Sequence, residues 1–174
     1  MEKIQNSAVN VFIDALYSSG KNSAIPEEHN FFGKLIGSWY IVWMDHLDDA
    51  VPRRVKGEWI FAWVLEGSAV QDIFIVPSRS ERVKNPQPDA EYGMTVRIYN
   101  PKNGTWDIFY GCTGQTFRLT ARKETETIIL TENENGNMRY IFSEITDTAF
   151  VWRKELRGTS DHWKTVARVT AQRK

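Results

Sequence analysis

Asp72 is the residue of this 174-residue chain whose type and setting bear most directly on chemistry. A two-residue turn at Gly67-Ser68 would pair Trp63 with Asp72 and direct the carboxylate into an aromatic lining. A buried carboxylate is costly unless it is paired or hydrogen-bonded, and Arg97 on the next strand is one possible partner. Three interpretations stay open: a structural ion pair, a polar anchor or acid/base group for a ligand, or a register slip that turns Asp72 outward.

Aromatic residues surround Asp72 in the predicted hairpin of residues 55–77, and they favour a cavity. Both faces of this hairpin are apolar, so we expect the aromatic face inside and the other covered by N-terminal helices or a second subunit. An aromatic wall with a polar contact is typical of a site for a small apolar or aromatic molecule. The predicted ligand-binding residues are Trp43, Trp59, Phe61, Trp63, Asp72, Phe74, Arg97 and Tyr110.

The histidines and the single cysteine offer weaker chemistry. His46 follows the first predicted strand and His162 opens the last, so both should lie at the same end of the fold, where His162 is a weak catalytic candidate beside Asp72. The spacing of the histidines predicts no metal site. Cys112 lies at a turn without an assigned base and is interpreted as a packing residue. The charged loop 78–82 is interpreted as solvated rather than anion-binding.

Ten short strands must position these residues. From Ser38 onward the apolar period is two, and Asn103-Gly104 and Asn135-Gly136 are strong tight-turn signals. A meander of this length usually closes to remove its edges, so we predict an all-β, antiparallel up-and-down barrel. The predicted strands lie near 38–45, 55–66, 69–77, 91–99, 105–112, 115–122, 126–132, 137–143, 148–156 and 161–172.

Two of the predicted connections, 46–54 and 78–90, are the longest and fall at the same end of the barrel. Long loops at one rim are consistent with an open mouth above a tight floor, and equally with loose surface loops. Two short helices are predicted before the barrel, the second starting at Pro26 and ending at Gly37. We therefore expect one domain, with helices in residues 1–37 packing on or capping a barrel of residues 38–174.

Composition excludes several functions. Lys plus Arg and Asp plus Glu number 22 each, and this balance removes the field expected of a nucleic-acid binder. One cysteine allows no internal disulfide, and residues 1–20 lack the pattern of a signal peptide. No segment has the apolar length of a membrane-spanning helix. The expected localisation is the cytoplasm, with no membrane or nucleic-acid partner.

The run Leu35-Ile36-Gly37-Ser38-Trp39 resembles the opening Gly-x-Trp motif of lipocalin-like (calycin) barrels. The resemblance implies that Trp39 lies at the closed end and packs against an arginine from late in the chain, for which Arg168 is the first choice and Arg153 the second. The stretches 57–72, 77–79 and 92–93 look like a group of small bacterial lipocalin-like proteins of unassigned function.

A late histidine such as His162 also occurs in haem-binding barrels of the nitrobindin type. Those barrels open with Gly-x-Trp-x-Gly-x-Gly, whereas Trp39 is followed here by Tyr40-Ile41-Val42, so no cofactor is predicted.

Three functions follow as hypotheses. The first is a small-molecule-binding barrel. The second is an isomerase, cyclase or hydratase that acts on a hydrophobic substrate through Asp72 or His162. The third is a solid barrel whose outer apolar face forms a homodimer.

Overall fold

A computed structural model describes residues 2–159 and 161–174, with side chains from residue 8 onward. One α-helix precedes the strands, α1 (Glu2–Leu16), and two 3-10 turns follow it at Glu27–His29 and Gly33–Leu35. The strands are β1 (Tyr17–Ser18), β2 (Gly37–Asp45), β3 (Arg53–Val64), β4 (Ala69–Val76), β5 (Glu91–Asn100), β6 (Thr105–Cys112), β7 (Gln115–Glu124), β8 (Thr127–Glu132), β9 (Met138–Ser143), β10 (Ala149–Arg157) and β11 (Trp163–Arg173).

Strands β2 to β11 form a closed antiparallel barrel. Each pairs with its neighbour in sequence, β11 returns to β2, and the short β1 adds to the end of β3. The prediction of ten antiparallel strands is confirmed. We call the end that carries the connections 46–52, 77–90, 113–114 and 133–137 the mouth, and the opposite end the floor.

The turn between β3 and β4 differs from the two-residue turn expected at Gly67-Ser68. It comprises residues 65–68, so Phe61 rather than Trp63 lies opposite Asp72. Leu65 therefore lies in the turn and is exposed. A shift of two residues keeps every side chain on its face, because side chains alternate with a period of two. The aromatic face consequently points inward, as predicted.

Residues 25–36, which we call the floor segment, close the floor. Ile25, Phe31, Phe32 and Leu35 are buried in the barrel core. The indole of Trp106 donates a hydrogen bond to the His29 carbonyl at 2.9 Å. These contacts bring the floor segment and the barrel into one hydrophobic core.

The second predicted helix is wrong, because the floor segment contains two 3-10 turns instead. Asn30, at φ −75° and ψ 56°, leaves helical conformation after the first turn. The indole of Trp39 donates a hydrogen bond to the Leu35 carbonyl at 2.7 Å. Tryptophans of the barrel therefore form hydrogen bonds with backbone carbonyls of the floor segment. Tertiary contacts have overridden the local preference that Pro26 and its acidic neighbours indicated.

The first predicted helix exists as α1, but its described side chains do not cover the barrel. Residues 8–15 are all exposed, and Phe12 keeps 64% and Val11 66% of its surface accessible. Isolated helices of this length are marginal in water, and none of the described side chains of residues 8–15 is buried against the barrel. The proposed division of roles between residues 1–37 and the barrel remains a prediction.

Trp39 lies at the floor end of β2, fully buried, and an arginine packs on its ring. That arginine is Arg173, whose guanidinium carbon is 4.1 Å from the ring centroid, and not Arg168 or Arg153. Arg173 pairs with Trp39 across the β2–β11 ladder, whereas Arg168 pairs with Met44 on the outer face and is exposed. Arg168 is the wrong choice because it is an odd number of positions away from Arg173 on β11, and residues with an odd separation along a strand point to opposite faces of the sheet.

Arg173 also explains the glycine before Trp39. Its guanidinium donates hydrogen bonds to the carbonyls of Ile36 at 2.7 Å and Lys34 at 2.8 Å. A Cβ at Gly37 would lie 2.6 Å from this guanidinium, and the residue has φ +126°. Gly37 is therefore required for the close approach of Arg173.

Candidate functional site

A cavity of about 90 Å³ lies inside the mouth half of the barrel. Aromatic residues from six strands form most of its wall, and charged residues reach it from β4, β5 and β10. The lining residues are Trp43, Trp59, Asp72, Phe74, Glu91, Thr95, Arg97, Tyr110, Gln115, Leu119, Leu130, Tyr140, Phe142, Trp152 and Lys154.

Asp72 and Arg97 form the deepest polar group of the cavity. Arg97 donates to one carboxylate oxygen of Asp72, and the indole of Trp59 donates to the other at 2.7 Å. Both charged side chains are almost completely buried. The predicted ion pair is present, and the indole of Trp59 is a partner that the sequence did not reveal. Because both oxygens are bonded within the chain, the carboxylate is stabilised where it stands.

Arg97 also connects the cavity with the floor. Its guanidinium carbon lies 4.9 Å from the Phe32 ring centroid and 5.3 Å from that of Phe61. Its Nε is buried and has no hydrogen-bond partner among the described residues. Cation–π contacts thus hold one side of the guanidinium while one donor remains unbonded.

Glu91 and Tyr110 form a second polar group, nearer the mouth. The Tyr110 hydroxyl donates a hydrogen bond to Oε1 of Glu91. Burial raises the pKa of Glu91, although this hydrogen bond and the charge of Lys154 act in the opposite direction. Burial, followed by hydrogen bonds with Cys112 and Glu91, raises the pKa of the Tyr110 hydroxyl. The protonated forms of both groups are therefore favoured relative to exposed side chains.

Tyr140 and Lys154 line the opposite wall. The Tyr140 ring lies 4.9 Å from the Trp152 ring, and burial raises the pKa of its hydroxyl. Lys154 pairs with Ala167 immediately before a bulge in which Val166 has no partner. Bulges redirect the strand locally and often lie beside functional sites. The wall opposite Glu91 thus presents a hydroxyl and an amine to the cavity.

The rim next to the cavity is fixed by Arg53. Its guanidinium bonds Asp45 at 2.6 Å and also bonds Asp89 in the long loop before β5. The indole of Trp43 donates to the same Asp45 carboxylate at 2.8 Å. Asp45 therefore links a tryptophan of the cavity wall, through Arg53, to the longest mouth loop.

Six of the eight predicted ligand-binding residues line the cavity: Trp43, Trp59, Asp72, Phe74, Arg97 and Tyr110. Phe61 and Trp63 do not. Trp63 packs beside Trp106, with their ring centroids 6.3 Å apart. The ring centroids of Phe61 and Phe150 are separated by the same distance. Both residues belong to the floor because β3 runs from the mouth to the floor and they lie near the end of this strand.

The remaining candidates lie around the mouth, apart from the cavity wall. His46 and His162 are exposed. The His46 ring lies beside the carboxylate of Asp49, with Nδ1 and Oδ2 3.7 Å apart. Cys112 is half-buried beside Gly93 and Tyr110. In the charged loop, Arg79 pairs with Glu58 at 2.8 Å on the outer surface.

Several lining residues were missed by sequence reasoning, above all Glu91, Lys154, Gln115 and Trp152. Glu91 shares its face with Arg97, since the two are six positions apart on β5. Lys154 likewise follows Trp152 by two positions on β10. Period-two alternation was therefore the signal that could have placed them inward. Their convergence depends on closure of the barrel, which the pattern of one strand does not contain.

Within the described ranges, no three His, Cys, Asp or Glu residues converge to a metal-binding arrangement. In the same ranges, no helix combines the length and hydrophobicity that a bilayer crossing requires.

The fold and cavity define a closed ten-stranded antiparallel barrel with a polar and aromatic interior site. Neither a protein-family model nor a curated protein matches this sequence. The crystal structure of Rv2717c from M. tuberculosis matches with a TM-score of 0.55 and 10% identity, over 86% of this chain and 99% of that one. At this identity the likeness shows a shared fold alone.

Proposed function

We propose that this protein binds a small apolar or aromatic molecule in the cavity of its mouth half. The observation that carries the proposal is the void itself, among side chains that would otherwise be expected to interdigitate. Protein interiors are packed like organic crystals, and voids larger than a water molecule are few. An interior space of about 90 Å³ bordered by aromatic rings and several polar side chains favours a guest over a solid core.

The size of the cavity limits the guest. An engineered apolar cavity of about 150 Å³ holds benzene, with six non-hydrogen atoms. By the same proportion, about 90 Å³ holds roughly four such atoms. The mouth adds space, because Gln115 lines the cavity and is exposed. The proposed guest is therefore a compact molecule, with its apolar part inside and its polar end toward the mouth.

A filling substitution tests this function. Thr95 is buried in the cavity wall, so Thr95→Leu should occupy the void and abolish binding of a small guest such as butanamide. Thr170→Leu, at an exposed position of β11, is the matched control and should bind as the wild type does. Saturable binding of the guest followed by calorimetry, lost only in Thr95→Leu, supports the proposal. Equal binding by both variants, or none by the wild type, contradicts it.

Native mass spectrometry of the purified protein addresses the natural guest. A co-purified compound that is present on the wild type and absent from Thr95→Leu would identify it. Such a compound retained by Thr95→Leu would place the guest outside the cavity.

An enzyme that uses Asp72 or His162 has less support. Both oxygens of Asp72 accept hydrogen bonds from Trp59 and Arg97, so the carboxylate is committed to the structure. His162 is exposed and is absent from the cavity wall.

Membership of the lipocalin-like barrels is proposed on local features. The floor segment runs through Gly37 into β2, and Arg173 stacks on Trp39 at the closed end. This is the contact that the resemblance implied, although a different arginine makes it. We also propose that the chain belongs with the small bacterial lipocalin-like group of unassigned function, and that the protein is located in the cytoplasm.

A homodimer is proposed as a secondary property, because the apolar side chains of α1 are exposed. Light scattering after removal of residues 1–16 tests it. A dimer that becomes a monomer supports a role for α1, and an unchanged mass contradicts it.

A further inference from the structure

The part of the cavity that lies nearest the mouth has two polar walls, and the binding of an apolar guest does not use them. Glu91 and Tyr110 stand on β5 and β6, and Tyr140 and Lys154 on β9 and β10. Below them the cavity is bordered by Leu119, among other apolar residues. The space is thus amphipathic along the barrel axis, with unpaired polar groups near the mouth and, beneath them, apolar side chains beside the paired Asp72 and Arg97.

Charge compensation differs between the two levels of the cavity. Deep in the barrel, Arg97 neutralises Asp72 by direct contact. Near the mouth, the ion pairs among the described residues do not include Lys154. A buried or half-buried ammonium without a contacting carboxylate favours an anion in its vicinity.

We propose that the guest is a small carboxylic acid, whose carboxylate lies between Lys154 and Glu91 while its short hydrocarbon part fills the deeper cavity. This proposal rests on the proposed function and specifies its ligand class. Lys154 and Tyr140 donate hydrogen bonds to the guest carboxylate, and protonated Glu91 donates a third. Glu91 in its ionised form would instead repel the guest.

Binding is therefore coupled to a proton on Glu91. The titratable and charged groups around Glu91 are Arg53 on β3, Asp72 on β4, Arg82 and Asp89 in the loop before β5, Arg97 on its own strand, Tyr110 and Cys112 on β6, Tyr140 on β9, and Lys154 on β10. Burial already raises the pKa of Glu91, and Asp72 adds to that rise. A guest carboxylate places a further negative charge beside Glu91 and raises its pKa again, so the complex takes up a proton. Affinity falls as pH rises above the pKa of Glu91 in the free protein.

The experiment compares butanoate with butanamide, which has the same shape and no charge. Affinities are measured by calorimetry between pH 5 and pH 9 and are corrected for the ionisation of butanoate itself. We expect butanoate to bind about tenfold more tightly than butanamide at pH values below the pKa of Glu91 in the free protein, and to lose up to about tenfold per pH unit above that pKa. Butanamide affinity should not depend on pH.

Three variants assign the roles. Glu91→Gln retains a neutral donor, so it should bind butanoate as the wild type does at the acid end of the pH range and show no pH dependence. Lys154→Met should reduce butanoate affinity to that of butanamide. Lys164→Met, at an exposed lysine that pairs with Asp48 outside the barrel, is the matched control and should change neither guest's affinity.

The possible failures are distinguishable. Equal binding of butanoate and butanamide at every pH would overturn the acid inference and leave the proposed function standing. Binding of neither guest would overturn both. Persistent pH dependence in Glu91→Gln would overturn the role of Glu91, and the wild-type profile together with Lys154→Met decides the case if Glu91→Gln does not fold.

Discussion

The two halves of this barrel are built from the same strands, yet they satisfy their polar groups differently. In the floor half, the indoles of Trp39 and Trp106 donate to carbonyls of the floor segment, and Arg173 caps others. In the mouth half, an amine, a carboxyl and two tyrosine hydroxyls face a void. The difference teaches that a barrel interior can be divided along its axis into a part that is completed by its own chain and a part in which polar side chains border a void.

Asp72 and Arg97 lie at the boundary between the halves. Breaking a buried ion pair by removing one partner costs about 3–5 kcal/mol, because the other charge is left uncompensated. Arg97→Met should therefore lower the free energy of unfolding by about that amount, the largest effect predicted here. Urea denaturation followed by tryptophan fluorescence measures it.

The double variant Arg97→Met/Asp72→Asn is the control for this prediction. It removes both charges and should recover part of the loss, since no buried charge remains unpaired. If Arg97→Met lowers the free energy of unfolding by less than about 1 kcal/mol, its effect is no larger than that of breaking an exposed ion pair. That result would contradict the buried position of this pair between the two halves.

A pair of turn glycines sharpens the comparison between floor and mouth. Gly67 (φ +76°) and Gly114 (φ +80°) are both left-handed, but a Cβ at Gly67 would lie 2.2 Å from the Gly20 carbonyl oxygen, whereas one at Gly114 meets nothing within 4 Å. Gly114→Ala should cost about 1–2 kcal/mol for the conformation alone. Gly67→Ala should cost more in the same denaturation assay, because the backbone before the floor segment must also move. Equal decreases in the free energy of unfolding for the two variants would contradict the close packing of the Gly67 turn against the backbone at Gly20.

The arginine on Trp39 predicts a smaller effect. Arg173→Met removes a cation–π contact and two hydrogen bonds to floor carbonyls, and it should lower the free energy of unfolding by about 1–3 kcal/mol. Arg168→Met, on the exposed outer face of the same strand, should change stability by less than about 0.5 kcal/mol. Thermal unfolding of the two variants compares them directly. A greater loss for Arg168→Met would reverse our assignment.

The architecture was largely predictable from the sequence, because period-two alternation survives errors in detail. The turn at Gly67 is longer than expected, yet the shift of two residues left Asp72 and Phe74 on the inner face. The depth of a residue along the barrel was harder to predict. Phe61 and Trp63 share the inner face with Trp59 but lie in the floor, since position along the axis depends on how the floor segment fills the barrel.

Two other errors have local causes. The second predicted helix became 3-10 turns because contacts with the indoles of Trp39 and Trp106 outweigh helix propensity. Lys154 and Glu91 were overlooked because they meet only across the closed barrel, from strands far apart in sequence. Contacts of this kind are fixed by closure and register together, neither of which one strand's composition specifies.

The indole N–H signals of the tryptophans test the division of the barrel most directly. In a ¹⁵N–¹H correlation spectrum, addition of butanoate or butanamide should shift the signals of Trp43, Trp59 and Trp152, which line the cavity. The floor signals of Trp39, Trp63 and Trp106 should stay in place. Shifts that are equally large in both sets, or confined to the floor tryptophans, would contradict the account.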